Sequence, residues 1–190
     1  MPAEDRNSYQ DSGWILEKLQ DFSLLKSFDC GDDDLNEFFR CDAFAHKQEL
    51  LAEIYSFSTE KATGGGERLP VAFISFHNDA IQLSMRKRRK ILPPKKAHYR
   101  TLPAVKIGRL GVEKSFQGKN IGTHILNMSK KFFVYDNRTG CRFITMDAYN
   151  HPDVIRFYEK NEFQFLTGED ENQKTRTMYF DLKRLLIDGS

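Results

Sequence analysis

The stretch Val112–Leu126, VEKSFQGKNIGTHIL, decides how the rest of the chain is read. Its loop, Gln117–Gly122, carries two glycines and runs straight into a segment with helical periodicity. Ile121, Ile125, Met128, Phe132 and Phe133 share one face. The start of a helix leaves backbone N–H groups unpaired, and the aligned peptide dipoles make that end positive. A glycine-bearing loop at this point is suited to hold an anion, because the backbone can approach it closely. Lys119 would add a point charge at the rim. The alternative is that Gly118 and Gly122 only shape a tight turn. The spacing is not that of a P-loop, which ends in Gly-Lys-Ser/Thr, nor of the G-x-G-x-x-G dinucleotide fingerprint.

On either side of this stretch, AVKIGRLGV (Ala104–Val112) and TGCRFITMDAY (Thr139–Tyr149) read as strands. Strand, loop, helix, strand is a crossover that favours two parallel, buried strands. Upstream, LAEIYSFST and LPVAFISFH read as a hairpin around the tip ATGGGER, Ala62–Arg68. In CGDDDLNEFFRCDAFAHKQ, Leu35, Phe38, Phe39 and Ala43 have helical spacing, with Asp32 or Asp33 as N-cap. WILEKL is a first, edge strand or a helical turn. NDAIQLSMRKRRKILPPKKAHYR is a short helix followed by a Pro-ended basic connection. HPDVIRFYEKN is a short helix with Pro152 in its first turn, and FQFLTG and RTMYFDLKRLL are closing strands around the polar turn EDENQK. The whole is a mixed α/β sheet with helices on both faces.

The 190 residues fit one domain over 1–190, with 1–13 a flexible N-terminus and 79–103 a basic insertion. Sixteen Phe and seven Tyr supply a sizeable core. No apolar run approaches the ~18 residues of a membrane span, and the polar N-terminus lacks the pattern of a secretory signal. A cytoplasmic protein without membrane contact is expected. Cys30, Cys41 and Cys141 are odd in number and lack metal-clip spacing, so neither disulfides nor a metal site is expected. The net charge of +2 is unevenly spread: Ala80–Val112 holds no Asp or Glu. Within it, Arg86, Lys87, Arg88, Arg89 and Lys90 form a cluster that is either a solvated helical face or a contact for phosphates.

The sequence resembles the GNAT family of N-acetyltransferases over roughly Phe28–Leu182. VKIGRLGVEKSFQGKNIGTHIL, CRFITMDAYN and VIRFYEKNEF have that family's order and spacing. FDCGDDDLNEFF resembles the subgroup that includes tRNA-acetylating toxins. The resemblance implies a central, mostly antiparallel, twisted sheet splayed between its fourth and fifth strands. It implies acetyl-CoA as co-substrate and no metal. Gln117, Gly118, Lys119, Asn120, Ile121, Gly122 and Thr123 would hold the pyrophosphate. Leu110 and Val112 would pair with the pantetheine arm as with an added strand, and Gly111 would permit the bulge that opens the slot. Asn150 would hydrogen-bond the pantetheine, and Tyr158 would protonate the departing thiolate. Two residues depart from the pattern. Asn120 stands where the loop has glycine, and Asn tolerates left-handed angles better than other non-Gly residues. Glu162 stands where a glycine ends the last helix, a position for which Glu is poorly suited.

Acetyl transfer by direct attack on a primary amine requires that amine to be neutral. An α-amine, with a pKa of about 8, is partly so at pH 7, whereas a lysine at about 10.4 needs a base or desolvation. Glu53 and Asp147 are candidate bases; each is equally a solvent-facing strand residue. A backbone N–H within Leu110–Val112 would stabilise the oxyanion. The acceptor is a small molecule, a protein or an aminoacyl-tRNA, the last using Arg86–Lys90. A non-catalytic acyl-CoA-binding module is the remaining alternative. Oligomeric state stays open, a homodimer being one option, and no antitoxin partner is signalled.

Overall fold

The computed structural model describes residues 8–59, 69–96, 98–135 and 140–187. These form two compact units, interleaved along the chain: Met1–His77 with Ile107–Phe132, and Asn78–Lys106 with Phe133–Ser190. The strands are β1 (Ser8–Asp11), β2 (Trp14–Lys18), β3 (Glu53–Thr59), β4 (Ala72–Gln82), β5 (Thr101–Val112), β6 (Phe143–Tyr149), β7 (Gln164–Phe165) and β8 (Thr175–Asp181). The order is β1-β2-β3-β4-β5 through the first unit and β5-β6-β8-β7 through the second. The pairs β1/β2, β2/β3, β3/β4, β6/β8 and β7/β8 are all antiparallel. The architecture is therefore the expected mixed α/β sheet, mostly antiparallel.

In the first unit, Ser12 and Gly13 both take positive φ, 54° and 83°, between the paired residues Asp11 and Trp14. A two-residue loop of this kind matches the twist of a hairpin. It corrects the expectation of a flexible 1–13: Ser8–Asp11 is a paired strand, while Met1–Asn7 lie outside the described residues. It also corrects WILEKL as an edge, because β1 lies beyond it. The expected hairpin of the next two runs is β3/β4, with Glu53 opposite Phe76 and Phe57 opposite Ala72. Its tip, Ala62–Arg68, lies outside the described residues.

β3 is buried from Ile54 to Ser58 and carries helices on both faces, because alternate side chains point to opposite sides. On the Ile54 face lies one helical run: α1 (Asp33–Glu37), a π-helical turn (Phe38–Asp42) and α2 (Ala43–Gln48). Asp32 is its N-cap, accepting from Leu35 N at 3.0 Å. Phe28, Phe39 and Phe73 meet edge-to-face or tilted within this cluster, with Phe28 5.3 Å from Phe39 and 5.1 Å from Phe73. On the Tyr55 face lies α4 (Ile121–Tyr135), whose Phe132 ring is 5.6 Å from Tyr55. The predicted apolar stripe is its buried side at Ile121, Ile125, Met128 and Phe132, while Phe133 is only half-buried.

The second unit pairs β6 with β8 from Phe143–Asp181 to Tyr149–Thr175. Ile81, Leu83, Leu102, Ala104, Phe143 and Tyr179 form its core cluster. The basic insertion is narrower than 79–103. Asp79–Gln82 and Thr101–Pro103 are strand, and α3 (Met85–Ile91) and a turn of 3-10 helix at Pro94–Lys96 lie between. Two further expectations change. FQFLTG yields only the two-residue β7, and KRLL is not strand: Arg184–Ile187 is a helical turn, α6. Among the described residues no helix is long and apolar enough to cross a membrane.

Candidate functional site

β5 delivers Leu110, Gly111 and Val112 to the end of the first unit's sheet, and the chain turns there into the loop. A turn of 3-10 helix, Lys114–Phe116, is followed by Gln117 in an extended conformation. Gly118 and Asn120 then take left-handed angles, φ 75° and 60°. Asn120 thus occupies the backbone region its identity tolerates, and the loop shape survives the loss of glycine. The first backbone bond into α4 runs from His124 N to Asn120 O at 3.1 Å. The amides of Ile121 and Gly122 therefore stand ahead of the helical ladder, at its positive end. Gln117, Gly118, Lys119 and Asn120 are exposed, whereas the Ile121 side chain is buried, so that residue offers only its backbone. A Cβ built on Gly118 would meet nothing within 4 Å, so the loop is open at its apex.

The polar side chains of the loop are already placed. Gln117 Nε2 donates to Cys30 O at 2.7 Å and to Val112 O at 3.0 Å. The Val112 carbonyl is therefore engaged by the loop itself. Lys119 Nζ donates to Ser115 O at 3.0 Å and lies 4.9 Å from the centroid of Phe116, which keeps its charge at the rim. Gly111 is not at a positive φ. A Cβ there would lie 2.9 Å from Phe28 Cζ and 3.2 Å from Phe39 Cε2. What the structure gives Gly111 is close packing of the helical run onto β5.

Asn150 and Tyr158 belong to the second unit. Asn150 follows β6 and donates through Nδ2 to Glu171 O at 2.8 Å and Gln173 O at 3.0 Å. Both amide hydrogens are spent on that turn, leaving Oδ1 to accept. Tyr158 lies on α5 (Pro152–Lys160), which Pro152 begins and the His151 side chain caps. The helix ends in a Schellman motif: Phe163 N donates to Tyr158 O at 3.0 Å and Glu162 N to Glu159 O at 2.8 Å. The accompanying apolar contact is between the Tyr158 and Phe163 rings, 5.8 Å apart. Glu162 takes the left-handed angle that glycine would take, φ 66°, and pairs with Arg184 at 2.6 Å. Burial pushes the Tyr158 phenol up to about 12. The group is held in its protonated form across the physiological range.

The two carboxylates considered as bases are both paired. Glu53 takes Lys47 in a short hydrogen bond and Lys18 at 3.4 Å. Burial pushes its pKa up, but the two lysines outweigh it and hold the carboxyl below its ordinary value. Asp147 pairs with Lys106 at 2.5 Å and accepts from Thr177 Oγ1 at 2.9 Å.

In the basic cluster, Arg86, Arg89 and Lys90 are exposed. The other two cations are tied into the second unit. Lys87 Nζ donates to Phe165 O and Leu166 O at 3.3 and 3.2 Å. Arg88 is buried and donates to Tyr99 O at 2.7 Å. Sequence alone does not distinguish these from their neighbours, since all five lie on α3.

The sequence matches no family model and no curated protein. The fold does match solved structures. AtaT complexed with acetyl-methionyl-tRNAfMet is 21% identical, the match covers 93% of this chain and 99% of that one, and the TM-score is 0.66. A Tyr-to-Phe mutant of KacT is 19% identical with the same coverage and a TM-score of 0.66. A Tyr-to-Phe mutant of the AtaT toxin bound to acetyl-CoA and the C-terminus of the antitoxin AtaR is 19% identical, covering 94% and 99%, with a TM-score of 0.65. At these identities the likeness establishes the fold, which is the one the GNAT resemblance implies.

Proposed function

We propose that this chain is an acetyl-CoA-dependent N-acetyltransferase whose acceptor is the α-amine of an aminoacyl-tRNA. The observation that carries the reading is the open, exposed loop Gln117–Asn120, which leads into the positive end of α4 on a fold shared with AtaT and KacT. The donor's pyrophosphate lies against the backbone of Gly118–Thr123, with Lys119 at its rim. The GNAT resemblance assigns its pantetheine arm to Leu110, Gly111 and Val112 and a hydrogen bond with that arm to Asn150.

The acceptor's nitrogen lone pair attacks the thioester carbonyl. A C–N bond forms, and a backbone N–H of Leu110–Val112 stabilises the oxyanion. The C–S bond then breaks and the sulfur takes a proton from Tyr158, while the nitrogen gives one up, so the proton count balances. An α-amine is favoured over a lysine because Glu53 and Asp147 are both held in ion pairs. An amine with a pKa of about 8 needs no base, whereas one at about 10.4 does. Phosphate contacts fall to Arg86, Arg89 and Lys90, because Lys87 and Arg88 are spent on the fold.

The test has two parts. Acetyl-CoA or CoA at ~100 times its dissociation constant stabilises by about 2.7 kcal/mol, a melting shift of roughly 5–11 °C that ATP does not reproduce. No shift at millimolar ligand refutes the cofactor. Reversing Arg86, Arg89 and Lys90 to Glu abolishes acetylation of charged tRNA and leaves the acetyl-CoA shift intact. Charged tRNA that stays unmodified while simple amines turn over refutes the acceptor.

A further inference from the structure

The run FDCGDDDLNEFF has no part in the chemistry above, yet it is bonded to the loop at its root. Lys114 N donates to Asp29 O at 2.9 Å, and Asp29 N donates to Glu113 Oε2 at 3.0 Å. Lys114 Nζ reaches Asp29 Oδ2 at 2.8 Å, and Gln117 Nε2 reaches Cys30 O at 2.7 Å. Behind these bonds a second set fixes Asp29 and Cys30. Asp29 Oδ1 accepts from Gly31 N and from Asn36 Nδ2, each at 2.9 Å. Asn36 Oδ1 in turn accepts from Cys30 N at 2.9 Å, and Asn36 is buried. Gly31 has φ 81°, and a Cβ there would lie 2.9 Å from Lys114 Cε, so the Lys114 stem lies close over it.

We propose that Asp29, Asn36 and Lys114 are positioning residues: they clip the root of the 113–120 loop to the start of α1 and so hold its amides in the anion-binding shape. The inference rests on the reading that this loop holds the donor's pyrophosphate. The bonds use carboxylate, amide and ammonium side chains and the backbone of Asp29–Gly31 and Lys114; the amides of Gly118–Gly122 take no part in them. Beyond its root the loop is held by the Lys119 Nζ bond to Ser115 O, while Gly118 at its apex has open space around it. A loop that must be ordered on binding loses affinity to conformational entropy, and pre-ordering it recovers that affinity. The clip therefore acts on donor affinity and leaves the acetyl-transfer step itself alone. The Lys114 hydrogen bond, with those from Gly31 and Asn36, holds the Asp29 carboxyl well below its ordinary value, so the clip stays ionised throughout the neutral range.

The experiment uses the full chain with Asp29→Asn and Lys114→Met, plus Lys114→Arg as the conservative variant. Calorimetric titration with CoA gives the dissociation constant. Turnover at saturating acetyl-CoA, with an aminoacyl-tRNA mixture as acceptor, gives kcat. The expected result is a dissociation constant raised about tenfold in Asp29→Asn and Lys114→Met, kcat within twofold of wild type, and affinity restored in Lys114→Arg. Lys114 is exposed, so Lys114→Met keeps the test valid should Asp29→Asn fold poorly. Unchanged CoA affinity in a chain whose wild type binds CoA overturns the clip. A kcat that falls in step with affinity also overturns it, showing a general structural role. Wild type that binds no CoA overturns the pyrophosphate reading beneath it, and the two failures are thereby told apart.

Discussion

Replacing Gly111 by alanine tests how β5 is packed at the root of the site. The added methyl would stand 2.9 Å from Phe28 Cζ, 3.0 Å from Phe28 Cε1 and 3.2 Å from Phe39 Cε2. Carbon atoms in good contact are about 3.5–4.0 Å apart, so roughly 0.5–1 Å of relief is required. Neither ring can swing aside. Phe28 and Phe39 are 3% and 1% exposed, and Phe28 is also held edge-on against Phe73. Overpacking of this kind costs about 1–3 kcal/mol, which for a chain of this length lowers the melting temperature by roughly 2–12 °C. The assay is urea unfolding followed by the fluorescence of the single tryptophan, Trp14, which lies in the same unit. Phe28→Leu removes atoms from the clash, so the double variant loses less stability than the two singles added together, by at least about 0.5 kcal/mol. A Gly111→Ala protein within about 0.5 kcal/mol of wild type, or strict additivity with Phe28→Leu, would falsify this packing argument.

Further predictions concern the loop and Tyr158. Asn120→Val puts a β-branched residue at φ 60°, which costs about 1–2 kcal/mol and weakens CoA binding. Asn120→Gly keeps both near wild type, and an Asn120→Val protein that melts and binds normally contradicts the loop geometry. Tyr158→Phe lowers kcat by about 10²-fold or more with the CoA dissociation constant unchanged, as stopped assays and titration will show; unaltered turnover removes Tyr158 from the mechanism. Turnover rises with pH as the acceptor amine deprotonates near about 8 and does not fall near pH 10, because burial pushes the Tyr158 phenol up to about 12. A descending limb centred near 10, lost in Tyr158→Phe, contradicts that assignment. The lowered pKa of Asp29 adds stability that is fully present above the ordinary carboxylate pKa, about 3.9, and is lost as pH falls below it through the folded value. Acid titration of Lys114→Met therefore shows a smaller loss of stability below pH 4 than wild type, and equal losses would refute the pairing.

What the sequence determined by itself is what local physics controls. The apolar stripe of α4 follows from a 3.6-residue period, a cap at Asp32 or Asp33 from a short acceptor before a helix, and the left-handed angle tolerated at Asn120 from its own side chain. The fold's mixed sheet and the loop that leads into α4 were legible for the same reason. The Ser12–Gly13 turn is equally local, yet reading 1–13 as a flexible terminus missed it, and β1 with it, because a single short turn between polar residues carries little periodicity. Tertiary structure alone decided which partners those residues meet. Asp29 and Lys114 are 85 positions apart, and no periodicity links them. Gly111 is required by Phe28, in the chain leading to a distant helical run, and by Phe39 within that run, so its purpose could not be read from its own strand. Five adjacent cations on α3 look alike in sequence, yet Lys87 and Arg88 turn inward to backbone carbonyls while Arg86, Arg89 and Lys90 face water. Local conformation is set by each residue and its near neighbours, whereas the burial and pairing of a side chain are set by elements that fold against it from elsewhere in the chain.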